Sequence, residues 1–310
     1  MNFFDRRIHP MEPRPSKTLP LGETYGYQVK WDGMRLLAFG RGSELRLQGK
    51  SLRDKTSKYP ELSGLTRLVR AEEFILDGEL IALVEGRPCF YSLMRREHSG
   101  SSYLAGRNVP VFYMIFDCLY LDGAWLVEQP WECRQEMLGG ALQENETVRI
   151  CANYDDGESL LAGVEKQNLE GVVAKKRGSP YVSGPRESPY WLKTKLEQQI
   201  LTLVGGLLLR DQKVVSLLLG LEEGNGSESG RTATLRYIGN VSSGLTEKDL
   251  AEWQKWGRRH AVSDPPFRRP LPAAGREVIW VEPLRGITVT FNEWTPELKL
   301  RAPRVGLTPL

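Results

Sequence analysis

Apolar and polar positions alternate in short runs through the first two thirds of the chain. The runs are YGYQVK (25–30), MRLLAF (34–39), ELRLQ (44–48), EEFILDGELIAL (72–83), VPVFYMIFDCLYL (109–121), TVRIC (147–151), EGVVAK (170–175) and PYWLKTK (189–195). Segments of this length, rich in β-branched and aromatic residues, predict strands. Two segments carry the helical period instead: PELSGLTRLV aligns Leu62, Leu65 and Leu68 or Val69, and DGESLLAGVEKQ aligns Leu160, Leu161 and Val164. Strands with helices interposed, but without regular β–α alternation, predict an α+β domain with antiparallel sheets.

After YWLKTK the pattern changes. ILTLVGGLLL, VVSLLLGL, TATLRYIG and GITVTFNEW predict strands, and EEGNGSESG between the second and third predicts a hairpin loop. One amphipathic stretch, TEKDLAEWQKW, predicts a helix capped by Thr246. About five strands and one helix suit a small β-barrel of the OB type. The expected division is therefore residues 1–198 and 199–310.

Composition narrows the class. The chain has 310 residues, 40% of them hydrophobic and 26% charged, as in an ordinary folded protein. No run approaches the roughly 20 apolar residues of a membrane span, and MNFFDRRIHP lacks the apolar core of a signal peptide, so a cytoplasmic protein without a membrane partner is expected. Cys89, Cys118, Cys133 and Cys151 form no C-x-x-C pair, which disfavours a zinc ribbon or a disulfide framework. The net charge is only +3, and its whole excess lies after residue 198, so any nucleic-acid contact must come from local patches.

Several charged residues interrupt apolar strands. In KWDGMR, Lys30 ends a strand and meets an aromatic, an acid and a glycine. In FILDGEL, Asp77 and Glu79 share one strand face and need a cation between or opposite them. Glu170 opens and Lys175 closes the run around Val-Val-Ala, and Lys193 and Lys195 share a face beside Trp191. Such a set supplies carboxylates for a hard divalent cation, lysines for phosphate, and one lysine able to act as a nucleophile. Magnesium usually takes one or two carboxylates plus substrate phosphates, which Glu170 and Asp32 would supply. An amine attacks only when neutral, so Arg35, Lys193, Lys195 and a metal would have to favour that form of Lys30.

In order, KWDGMR, LDGE, FDCLYLDG, EGVVAKK and WLKTK resemble the nucleotidyltransferase motifs of ATP-dependent DNA ligases. The likeness covers nearly the whole chain and is nearest to compact bacterial ligases, including the ligase module of bacterial end-joining enzymes. YVSGPRESPYWLKTK, SLLLGL, LRYIGNVSSGLTEKDL and FNEWT follow in sequence. The resemblance implies a nucleotidyltransferase domain and an OB-fold domain. It also implies nick sealing through lysyl-AMP and an adenylylated 5′-phosphate.

By the same resemblance Lys30 is the nucleophile, and Arg35, Glu79, Phe116, Lys193 and Lys195 surround the nucleotide. Phe116 would stack on adenine, Glu79 would lie near the ribose, and Lys193 and Lys195 near the α-phosphate. Asp32 and Glu170 would serve magnesium, or manganese in its place. Arg35, Lys50, Arg53, Lys55 and Arg186 would contact DNA. Nicked duplex DNA is the expected partner, with end-joining or repair proteins behind it and a monomer as the acting form.

The pattern departs from the family in two places. QGKS at 48–51 stands where a Ser-Arg-Asn-Gly segment is expected, leaving only Lys50 as a substitute cation. The closing LRAPRVGLTPL lacks the family's Arg-x-Asp-Lys motif, with Arg301 and Arg304 the nearby cations. Related alternatives are an RNA ligase or a GTP-using capping nucleotidyltransferase. A different class of reading is a non-catalytic nick-binding protein derived from a ligase.

Overall fold

The computed structural model describes residues 3–98, 109–184, 186–222, 234–268, 275–295 and 297–306. Two units divide the chain, Met1–Leu196 and Glu197–Leu310. The strands of the first unit are β1 (Glu12–Pro15), β2 (Tyr25–Lys30), β3 (Met34–Arg41), β4 (Glu44–Gly49), β5 (Glu73–Val84), β6 (Arg87–Pro88), β7 (Val111–Leu121), β8 (Ala124–Trp125), β9 (Val148–Ile150), β10 (Gly171–Lys176) and β11 (Glu187–Lys195). They form two sheets. One has the order β1-β11-β10-β2, and the other β4-β3-β5-β7-β8, with β6 on β5 and β9 on β7. Pairing is antiparallel except for β1 with β11 and β7 with β9.

Alternation along the larger sheet decides what each face buries. Leu36, Ala38, Leu76, Leu80, Tyr113 and Ile115 point into one core. Leu37, Phe39, Ile75 and Leu119 point the other way and pack with Met11, Trp131, Tyr181 and Trp191, so the two sheets share this second core. The cleft described below lies at the edge of that shared core.

Among the described residues three α-helices complete the unit: α1 (Phe90–His98), α2 (Trp131–Ala141) and α3 (Gly157–Lys166). Asp156 caps α3, its Oδ1 accepting from the Ser159 N–H at 3.0 Å. The expected helix around residue 62 is a 3-10 helix, Pro60–Arg67, rather than an α-helix. Side chains three apart eclipse in that geometry, and Leu62 and Leu65 enter the core together.

In the second unit the strands are β12 (Gln198–Arg210), β13 (Lys213–Glu222), β14 (Leu235–Val241), β15 (Val278–Trp280), β16 (Gly286–Phe291), β17 (Glu293–Trp294), β18 (Leu300–Arg301) and β19 (Arg304–Val305). The order is β14-β13-β12-β16-β19. The first half of β12 pairs with β16 and its second half with β15, so one long strand serves two neighbours, as closure of a small barrel requires. Helix α4 (Glu247–Arg259) begins at the expected cap: Asp249 N–H donates to Thr246 Oγ1 at 3.2 Å, and Thr246 N–H donates to Asp249 Oδ2 at 2.8 Å. The predicted hairpin loop at 222–230 falls almost wholly outside the described residues.

Candidate active site

Register across the smaller sheet sets the site. Gly171 of β10 pairs with Lys30 of β2 on one side and with Lys195 of β11 on the other. The next row on that face is Gln28, Val173 and Lys193, and the row beyond it is Gly26, Lys175 and Trp191. Side chains two apart share a face, so three strands carry these residues to one surface without help from loops.

Two glycines permit the close approaches that this needs. A Cβ on Gly33 would lie 2.2 Å from the Leu80 carbonyl oxygen, so only glycine lets the turn after Lys30 close onto β5. Gly171 has φ +152°, and a Cβ there would lie 2.1 Å from the Thr194 carbonyl oxygen.

Glu170, 5% exposed, is the focus of the first row. Its Oε2 accepts from Lys30 Nζ, and its Oε1 lies 3.1 Å from Lys195 Nζ. Lys193 is half-buried and 3.7 Å from Glu187. Burial pulls its amine below the ordinary lysine range, Lys30 and Lys195 add to that, and Glu187 opposes it.

The opposite wall comes from the larger sheet. Arg35 on β3 pairs across with Glu79 on β5. The cation needed between Asp77 and Glu79 is Arg35 itself: its Nε and Nη2 donate to Asp77 Oδ1 and Oδ2 at 2.6 and 2.5 Å. Tyr181 Oη also donates to Asp77 Oδ2 at 2.6 Å. The guanidinium stands 4.5 Å from the Phe116 ring centroid. Arg35 is therefore held by a buried carboxylate and an aromatic face. Burial pushes the Glu79 carboxyl up to about 8, with Glu170 and Asp32 adding to the rise and Arg35 and Lys30 opposing it.

Between the walls lies a cleft lined by Lys30, Arg35, Glu79 and Phe116, with Val29 and Val173 among its apolar surfaces. Lys30, Arg35, Glu79, Phe116 and Glu170 are thus brought together, with Lys193 and Lys195 along the same strands. The chemistry of the set fits a nucleotide: an aromatic ring for a base, carboxyl groups for hydroxyls or a cation, and lysines for phosphate. No group of three His, Cys, Asp or Glu side chains able to hold a metal occurs among the described residues. A carboxylate such as Glu170 suits a magnesium ion that takes its remaining ligands from phosphates and water.

The expected DNA contacts are scattered. Lys50 is 64% exposed and pairs with Glu12 at 2.8 Å, while Arg53 and Arg186 are exposed. Lys55 differs from these in its surroundings. It is only 15% exposed and forms an ion pair with Glu97 of α1, whose other oxygen accepts from Tyr59 Oη at 2.7 Å. Its charge serves packing between that helix and the Tyr59 segment.

No place at the nucleotide was predicted for Lys175, Gln28, Trp191 or Arg134. Lys175 carried a signal, a charge closing an apolar strand. Arg134 gave none. It is fully buried in α2 and donates from Nε and Nη2 to Asp117 at 2.7 and 2.9 Å.

Residues 15–195 match the family model of the ATP dependent DNA ligase domain, and residues 210–307 match that of the ATP dependent DNA ligase C terminal region. The chain belongs to the ATP-dependent DNA ligases. Its fold is accordingly their nucleotidyltransferase domain followed by an OB-fold domain, and the RNA-ligase, capping and non-catalytic readings are not favoured.

Among related ligases, the multifunctional non-homologous end joining DNA repair protein LigD of Mycobacterium tuberculosis (strain ATCC 25618 / H37Rv) is 31% identical over 283 residues, covering 89% of this chain and 35% of the relative. LigD of Pseudomonas aeruginosa is 32% identical over 284 residues, covering 89% of this chain and 32% of the relative. The chain thus spans about a third of the length of these relatives. A solved structure described as mycobacterial DNA ligase D complexed with ATP and MES is 30% identical, with a TM-score of 0.57, and the match covers 98% of this chain and 95% of that one.

Proposed function

We propose that this chain seals nicks in duplex DNA with ATP, and that Lys30 carries the adenylyl group. The observation that carries this reading is the single carboxylate, Glu170, that holds both Lys195 and Lys30, the latter lining a cleft with Phe116 and Glu79. In the first step Lys30 Nζ attacks the α-phosphorus of ATP. The N–P bond forms, the bond to pyrophosphate breaks, and the amine gives up its proton. Lys30 Nζ donates to Glu170 Oε2, so attack requires that this contact be opened. In the second step an oxygen of the DNA 5′-phosphate displaces lysine from AMP, and Lys30 regains a proton. In the third, the 3′-hydroxyl attacks that 5′-phosphate and AMP leaves.

Phosphoryl transfer needs little beyond positioning and neutralisation of charge. Lys193 and Lys195 supply positive charge from the β11 face, Phe116 offers a ring to the base, and Glu79 lies on the wall that would meet the ribose. Glu170, with Asp32 beside the turn, would hold magnesium or manganese. Such an ion would offset charge developing on the α-phosphate. Lys50, Arg53 and Arg186, among the exposed cations of the first unit, are the ones read as meeting DNA phosphates. The names of the LigD relatives support a place in non-homologous end joining; the protein is read as acting as a monomer in the cytoplasm.

The test is direct. With Mg²⁺, the protein should take acid-labile label from α-labelled ATP, not from GTP or NAD, and Lys30→Ala should take none. Lys30→Ala should still seal a nick that is already adenylylated. Absence of label from ATP together with failure on the adenylylated nick would overturn the proposal.

A further inference from the structure

Lys175 is the one lysine of the cleft that touches no carboxylate among the described residues, and it is 2% exposed. Its Nζ donates to the Phe116 carbonyl oxygen at 3.2 Å. The same nitrogen lies 4.0 Å from the Trp191 ring centroid and 4.4 Å from that of Phe116. Gln135 Nε2 donates to the same carbonyl at 2.9 Å, so the Phe116 peptide is held from two directions. On the far side Gly26 stands beside Lys175 in the sheet, and the Trp131 ring fills the space that a Cβ there would need. The ammonium is thus enclosed by aromatic faces and one carbonyl, an arrangement that is strong only when the amine is charged.

We infer that Lys175 is a positioning residue of the nucleotide pocket: bound to the Phe116 carbonyl and to the Phe116 and Trp191 rings, it fixes the angle at which Phe116 meets the base, and so governs ATP affinity and not the phosphoryl step. The inference rests on the reading of this cleft as the ATP site. Its place two residues beyond Val173 sets it beside the Phe116 and Trp191 rings, two rows along the sheet from the row of Lys30 and Lys195. Cation–aromatic contacts out of water contribute enough to alter affinity about tenfold.

The charge of Lys175 is finely placed. Burial brings its amine down to about 7, while Asp117, Cys151 and Asp77 raise it and Arg35 lowers it further. Asp117 on β7 and Asp77 on β5 are already bound to Arg134 and Arg35, so neither is available as a direct partner. The ammonium is present below about pH 7 and lost above it, which makes its contribution to ATP binding dependent on pH.

The experiment measures adenylylation of the full chain in single turnover against ATP concentration, from pH 6 to pH 8.5, for the wild type, Lys175→Met and Lys175→Gln. At pH 6 the half-saturating ATP concentration should be about tenfold higher in Lys175→Met, with the maximal rate within about twofold. The gap between the two proteins should close as pH rises past about 7. Lys175→Gln keeps a donor for the carbonyl without the charge; it should show the same convergence and carries the test if the methionine variant does not fold. A lowered maximal rate at unchanged half-saturation, or a ratio between variant and wild type that is constant with pH, would overturn the inference. If the wild type itself takes no label, the ATP-site reading fails; if it labels and both variants match it at every pH, only the role of Lys175 fails.

Discussion

Lys195 meets Oε1 of Glu170 at 3.1 Å while Oε2 of the same carboxylate holds Lys30. One anion therefore keeps the proposed nucleophile and a proposed phosphate-binding lysine in the same place. Glu170→Gln, which retains shape but loses the charge, should lower the rate of label uptake from ATP by about 10²–10³. A quenched-flow time course checks this, with circular dichroism to establish that the variant is folded.

Breaking the buried Arg35–Asp77 pair from one side should be costly. Asp77→Asn leaves the guanidinium without its counter-charge and should destabilise the first unit by about 3–5 kcal/mol. Tyr181→Phe removes one hydrogen bond to the same carboxylate and should cost about 1.5–3 kcal/mol. Urea denaturation of both variants gives the comparison, and equal losses would contradict it.

Glu79 and Lys175 make stability depend on pH in opposite senses. Glu79 rises from its ordinary 4.5 to about 8 on folding, so the native state binds the proton more tightly and stability falls as pH climbs between those values. Lys175 falls from 10.5 to about 7, so the unfolded chain is the better proton acceptor and stability rises with pH across that interval. Melting temperature should therefore decline from mildly acidic pH toward neutrality in the wild type, and Glu79→Gln should flatten that decline. Scanning calorimetry from pH 5 to pH 9 measures it.

Gly171→Ala should damage both fold and chemistry. The added methyl meets the Thr194 carbonyl oxygen at 2.1 Å, against the backbone of β11, which can yield only by shifting the strand. A loss of about 1–3 kcal/mol is expected, along with loss of label uptake, since the same shift moves Lys195 away from Glu170. Gly64→Ala, where a Cβ meets nothing within 4 Å, is the control that should retain activity.

Lys50 and Lys55 should part company on DNA. Lys50→Ala should reduce the salt dependence of DNA binding by about 0.9 in the log–log slope, the value of one phosphate contact. Lys55→Ala should leave that slope unchanged and lower the melting temperature, because its partner is Glu97. Fluorescence anisotropy at several salt concentrations distinguishes them.

Much of the site was legible because strand periodicity is simple. Lys30, Glu170, Lys193 and Lys195 stand out as charges at the ends of apolar runs, and a cation opposite Asp77 and Glu79 follows from charge repulsion alone. What escaped was decided by contacts distant in sequence. Helix α2 buries Trp131, Arg134 and Leu138, and the middle member of that stripe reads as a surface residue until Asp117 is seen beside it. Lys55 reads as a solvated cation for the converse reason, since Glu97 lies 42 residues away. The 3-10 geometry at Pro60–Arg67 was hidden because leucines three apart satisfy either kind of helix.

Strand β10 lies between its two neighbours, and this central place constrains how the protein can change over generations. A single residue inserted within Gly171–Lys176 would invert every side chain beyond it, turning Val173 and Lys175 out of the cleft while Lys30 and Lys195 stayed behind. Variation in length among descendants of this sequence is thus confined to connections such as the turn after β4, and the spacing from Glu170 to Lys175 is inherited intact or the cleft is lost.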